Sequence, residues 1–231
     1  MCIESSVAEI IHKAYKFSDL TIYSDSIYKS LGYGDIENPM VMEMIHLFLE
    51  EIDTRISPNL CFRIFDQVKI KKGEGIQVED QFLSTGKLIT GHLKKMRQFG
   101  VYACTLGEGY SKWMQELNNS GDVLGSYLLS EIASNVVESL SLKLFDELRF
   151  VTDLIATNKY SPGYCDWNVK DQEKLFKLIP NNPCNITLTE SCMMYPVKSI
   201  SGIFGLGESV RFKAHDCSAC NYDGCVYSKI N

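Results

Sequence analysis

Apolar residues recur every four positions through the segment 121–150: Leu124, Leu128, Ile132, Val136, Leu140, Leu144 and Leu148. Four residues advance a helix by about 400°, so such a stripe drifts by about 40° per step. Val137 and Phe145 widen it further. The pattern predicts a long helix opening at Gly121 and Asp122, apolar over much of its circumference and therefore central in the fold. Glu138 falls in its middle. A carboxylate buried there requires a partner or hydrogen bonds, because burying it alone is costly.

Shorter patterns flank this helix. Residues 6–15 place Val7, Ile10, Ile11 and Ala14 on one helical face. Residues 41–55 read as a second helix stopped by Pro58, and 83–96, 110–118 and 171–178 as further helices, the last ended by Pro180, Asn181 and Asn182. Strands are predicted over 60–70 and 76–78, joined by the turn 72–74, and over 101–105, 185–188, 199–205 and 210–213. Segments 28–34 and 106–109 read as glycine turns and 159–167 as a loop. Gly205-Leu206-Gly207 reads as a turn rather than a dinucleotide loop, because no helix follows it. There is no repeat and no low-complexity linker.

A chain of 231 residues with 45% apolar content can bury a sizeable core, in one large α/β domain or one domain with a small appendage. The net charge of −6 argues against a broad nucleic-acid surface and for protein or small-molecule partners. The apolar run 41–49 is broken by Glu43 and His46 and is too short to span a bilayer. The amino terminus lacks the basic and apolar regions of a secretory signal, so a cytoplasmic location is expected. Of nine cysteines, Cys2, Cys61, Cys104, Cys165, Cys184 and Cys192 are scattered and read as free thiols, several of them core residues. Cys217, Cys220 and Cys225 cluster in a polar tail beside His215. Three chemistries suit that tail: zinc with His215 or a distant cysteine as fourth ligand, an iron–sulfur cluster, or an exposed reactive dithiol. The four histidines share no metal-ligand spacing among themselves.

Two segments carry a resemblance. Residues 159–164 read KYSPGY, and residues 187–202 read TLTESCMMYPVKSISG. Together, in this order, they resemble the activation domain of cobalamin-dependent methionine synthase, in its free-standing form. The likeness is strongest over 101–205 and traceable from residue 27. It implies an α/β (α+β) fold with helices packed around a twisted antiparallel sheet, over 1–214, followed by the Cys-rich tail 215–231. It also implies an S-adenosylmethionine (AdoMet) site and a partner that carries cobalamin, either methionine synthase or a related corrinoid protein. A flavodoxin- or ferredoxin-like carrier would supply the electron. The reaction implied is reductive remethylation of an inactivated corrinoid, with AdoMet as methyl donor.

By position, the resemblance places Glu138 near the AdoMet amino group and Lys159 where the family usually has an arginine for the AdoMet carboxylate. Ser161, Gly163 and Tyr164 fall on the loop lining the ligand. Lysine keeps the charge but not the bidentate fork of arginine. Cys192 stands where the family often has an aromatic residue. The residue types suit the ligand: a cation, an anion, a glycine allowing close backbone approach, and an aromatic ring. Each also has a plainer reading: Glu138 as a helix salt bridge, Lys159 as a solvated charge, Pro162-Gly163 as an ordinary turn. Two other functions remain open: a non-catalytic module that senses AdoMet or binds a corrinoid protein, and a metal or redox protein acting through the cysteine tail.

Overall fold

The computed structural model describes residues 9–22, 27, 31 and 38–212. A five-stranded sheet, ordered β1-β2-β6-β10-β7, forms its centre, and every pairing in it is antiparallel. The strands are β1 (Ile11–Ala14), β2 (Asn59–Phe65), β6 (Gln98–Thr105), β10 (Ser199–Gly207) and the short β7 (Ile155–Ala156). β6 pairs along its length with both β2 and β10, which explains why its residues are buried from Phe99 onward. A strand buried on both faces reads as a continuous apolar run rather than an alternation.

One face is covered by three helices: α1 (Pro39–Arg55), α3 (Glu108–Ser120) and α4 (Val123–Val151). Asn38 caps α1, its side chain accepting from the amides of Met40 and Val41, with Pro39 in the first turn where no donor is lost. α3 ends at Gly121 with φ +74°, a left-handed cap that glycine adopts without strain. Asp122 then opens α4 by accepting from the amide of Gly125 at 2.8 Å. As the four-residue stripe predicts, α4 is central: Leu128, Ile132, Val136, Leu140, Leu144 and Leu148 are all buried against the sheet. Leu124, at the helix start, lies outside that core and is partly exposed.

The other face carries a second core. It is built from the hairpin sheet β3 (Val68–Lys71), β4 (Gly75–Val78) and β5 (Gln81–Leu83), with α2 (Gly86–Leu93), α5 (Gln172–Lys177) and Trp167. A small ladder of β8 (Thr187–Leu188) and β9 (Met194–Tyr195) precedes β10.

Several boundaries differ from the sequence reading. The described part of 6–15 is strand, not helix: Ile11–Ala14 pairs with β2, and edge pairing overrides a weak helical periodicity. The strand expected over 60–70 is two, broken at Asp66 and Gln67. The helix expected over 83–96 is shorter, because Leu83 belongs to β5. Gly205 and Gly207 lie inside β10 rather than in a turn; a Cβ on Gly205 would come within 2.9 Å of Leu93, so the glycine permits close packing of α2. No strand forms over 210–212. Most of the expected turn 28–34 lies outside the described residues.

Candidate functional site

The site lies where α4 passes over β6 and β10, closed on one side by the segment that follows β7. Two hydrogen bonds fix that segment: Tyr160 and Ile203 exchange amide and carbonyl at 2.9 and 2.8 Å, laying 159–161 along β10. The turn beyond is pinned by Gly163 N–H to Trp167 O at 2.8 Å and Tyr164 N–H to Ser161 O at 3.1 Å. Gly163 adopts φ +97°, which favours glycine, and nothing lies within 4 Å of where its Cβ would stand. Trp167 anchors the base of the turn in the second core, its indole donating to Asp171.

This arrangement brings the sequence-predicted residues together. Lys159 Nζ donates to Glu138 Oε1 at 3.1 Å and also to the Ser141 hydroxyl, one helical turn further along α4. The two charges differ in environment: the Lys159 side chain is 14% exposed, whereas that of Glu138 is 58% exposed. Glu138 is therefore not a buried carboxylate, and its cost of burial does not arise. Lys159 also sits 5.9 Å from the Phe145 ring centroid. Tyr164 is exposed beside the turn.

Beneath them lies Tyr102 on β6, fully buried. Burial pushes its phenol well above the ordinary tyrosine range; Cys104, Glu138 and Tyr164 act in the same direction and a hydrogen bond with Ser161 opposes them. The buried Cys104 thiol is pushed up to about 12 by desolvation, with Lys159 opposing. Both groups stay protonated at neutral pH. They offer hydrogen bonds and bulk, not charge. Gly202 pairs with Tyr102 in the β6–β10 register. A Cβ there would stand 2.4 Å from Tyr160 O, 2.9 Å from Tyr102 Cε1 and 3.0 Å from Ser161 Oγ. Its lack of a side chain is what lets the 159–161 segment lie against the sheet.

A second lysine reaches the same helix. Lys198, following the cis Tyr195–Pro196 bond, donates to Ser130 O, Ser130 Oγ and Ser134 Oγ at 3.0, 3.2 and 2.7 Å and lies 5.7 Å from the Tyr110 ring. Desolvation lowers its pKa and nearby Glu131 opposes that. Lys198 thereby fastens the segment before β10 to α4, about one turn from Glu138.

Cys192 is buried elsewhere, its sulfur 3.7 Å from Glu173 of α5. Cys217, Cys220, Cys225 and His215 lie outside the described residues. Among the described residues no group of three or more His, Cys, Asp or Glu side chains is placed to hold a metal ion. No described helix is long and apolar enough to cross a membrane.

Sequence reasoning passed over Tyr102, Ser141 and Gly202. Ser141 carried a signal, since it lies three residues beyond Glu138 on a predicted helix and so shares its face. Gly202 stood at the end of the quoted motif. Tyr102, inside a short apolar run, carried none.

The chain matches a solved structure described as the crystal structure of the MetH reactivation domain bound to AdoHcy, with a TM-score of 0.63, 13% sequence identity, and coverage of 89% of this chain and 81% of that one. At that identity the likeness is one of fold. The family model for the vitamin B12-dependent methionine synthase activation domain matches residues 79–225, and the chain belongs to that family. No curated protein matches it.

Proposed function

We propose that this protein binds AdoMet at the Glu138–Lys159 site and supports reductive remethylation of cobalamin held by a methionine synthase or related corrinoid protein. The observation that carries the reading is the Lys159–Glu138 pair itself, at 3.1 Å beside the Pro162-Gly163 turn. An α-amino acid headgroup brings one carboxylate and one ammonium. It exchanges the internal pair for two external ones, carboxylate to Lys159 and ammonium to Glu138. Lys159 is mostly buried and already desolvated, which strengthens its attraction for a carboxylate that replaces Glu138. Ser161 and the exposed ring of Tyr164 line the same turn, and Gly163 adds no side chain to obstruct approach. The solved MetH reactivation domain contains AdoHcy, the demethylated product of AdoMet, which supports the ligand class.

The chemistry assigned to the ligands is transfer of the AdoMet methyl group to reduced cobalt, with AdoHcy leaving. No general acid or base is required of the protein; its task is to align the donor and exclude water. The cobalamin comes with the partner, and a flavodoxin- or ferredoxin-like carrier provides the electron. The Cys-rich tail 215–231 stands apart from this reading.

Calorimetric titration of AdoMet into the wild-type protein and a Glu138→Ala variant tests it. Removing one partner of a charge-assisted pair costs about 1.5–3 kcal/mol, so affinity should fall about 10- to 100-fold. Equal affinities would remove Glu138 from the site.

A further inference from the structure

The strap that carries Lys159 runs one residue out of step with β10. Gly207 pairs with Ile155 and Leu206 with Ala156. The same phase holds one residue further, where Thr157 N–H donates to Gly205 O at 2.8 Å and Gly205 N–H to Thr157 Oγ1 at 2.9 Å. Continued, that phase would set Lys159 opposite Ile203. Tyr160 stands there instead. Asn158 and Lys159 therefore both oppose Phe204, the two-against-one arrangement of a β-bulge.

The extra residue decides where Lys159 points. Residues directly opposite each other in an antiparallel pair share a face, and successive residues alternate. Ile203 belongs to the second core and Phe204 to the core under α4. Without the bulge, Lys159 would share the face of Ile203 and turn away from Glu138. With it, Tyr160 takes that face and packs against the second core, and Lys159 reaches Glu138 and Ser141. A slip of one residue would exchange the two faces, so the bulged phase has to be held. On the Tyr160 face stands His92, in the last turn of α2. Its Nδ1 lies 3.0 Å from the Tyr160 hydroxyl, and the two rings are 5.7 Å apart and tilted by 44°. The end of α2 is itself fixed to β10. Leu93 Cδ2 lies 2.9 Å from where a Cβ on Gly205 would stand, and Arg97 N–H donates to Leu206 O at 2.7 Å.

We propose, resting on the AdoMet reading above, that His92 is a positioning residue for the ligand site. By holding Tyr160 it locks the bulged phase of the strap and so keeps Lys159 on the Glu138 face. When a ligand headgroup replaces Glu138 as the partner of Lys159, the strap gives up its tie to that residue of α4. The His92–Tyr160 contact lies on the opposite face and outlasts the exchange. His92 acts through Tyr160 rather than on the ligand.

Two readouts are needed. Carbodiimide joins a carboxylate to an amine in contact with it, so the yield of the Glu138–Lys159 cross-linked peptide, measured by mass spectrometry, reports the phase of the strap without any ligand. AdoMet calorimetry reports the consequence for binding. Three variants are compared with wild type. His92→Phe keeps a ring and removes the hydrogen bond, Tyr160→Phe removes only the hydroxyl, and His92→Asn returns a polar atom close to the Nδ1 position. The cross-link yield should fall in both Phe variants, and AdoMet affinity with it by about 2- to 10-fold, the worth of one hydrogen bond. The double Phe variant should be no worse than either single one, because both remove the same contact. His92→Asn should restore both readouts. Wild-type cross-link yield in both Phe variants would overturn the proposal, as would a His92→Asn variant no better than His92→Phe. A lowered thermal midpoint with yield and affinity unchanged would overturn it too, by making the contact merely structural. If the wild-type protein binds no AdoMet, the functional reading falls, and the cross-link still decides what holds the strap.

Discussion

Gly202→Ala is the sharpest mechanical perturbation of the site, because it adds one carbon and no charge. The new Cβ would stand 2.4 Å from the Tyr160 carbonyl oxygen, itself hydrogen-bonded to Ile203 at 2.8 Å. Ordinary contact requires about 3.4 Å, so strap and sheet must separate by about 1 Å. Tyr102 Cε1 at 2.9 Å and Ser161 Oγ at 3.0 Å must yield as well. Tyr102 is fully buried, so it has little room to move. Overpacking of this kind costs about 1–3 kcal/mol. For a chain of this length that corresponds to a fall of about 2–12 °C in thermal midpoint. A 1 Å displacement carries Lys159 and Ser161 with the strap, and misplacement on that scale can cost about 100-fold where geometry governs. The assay pairs thermal unfolding with AdoMet calorimetry. AdoMet affinity should fall together with stability. A variant that keeps wild-type midpoint and affinity would refute the argument that the strap is seated through Gly202. One that loses stability but keeps affinity would separate the strap from the ligand.

Lys198→Met removes an ammonium that holds Ser130 and Ser134 of α4, and its partial exposure limits the loss to about 1–2 kcal/mol, read as a lowered denaturant midpoint with AdoMet affinity changed far less. An unchanged midpoint would show that the clamp contributes nothing. Alkaline pH should destabilise the fold. The Cys104 thiol titrates at 9.0 when unperturbed and is pushed up to about 12 in the folded chain, so the folded state holds its proton longer. Stability is therefore full below about pH 9 and declines as pH rises toward 12. Denaturant titrations at pH 8 and 10.5 should show the decline, flattened in Cys104→Ala; an identical slope in the variant would remove Cys104 as a contributor.

The long helix was legible because its four-residue stripe is dense, and Leu128 through Leu148 are buried as that stripe requires. Part of β6 was legible, as an apolar run over 101–105 ending at a glycine turn, although the strand itself begins at Gln98. β1 was not, since four residues with only Ile11 partly buried carry no strand alternation and depend on pairing with β2. Within the site, Glu138 and Lys159 are 21 residues apart in sequence, and only the motif resemblance suggested joining them. Their 3.1 Å approach depends on the Tyr160–Ile203 bridge, a tertiary contact with no local signature.

The most direct test of the central claim is methyl transfer itself. A cobalamin-loaded partner is held reduced by a reduced carrier and supplied with methyl-labelled AdoMet, with and without this protein. The account predicts labelled methylcobalamin and AdoHcy in equal amounts, dependent on this protein and strongly reduced by Glu138→Ala. Methylation that proceeds equally without the protein, or equally with the Glu138→Ala variant, would contradict it.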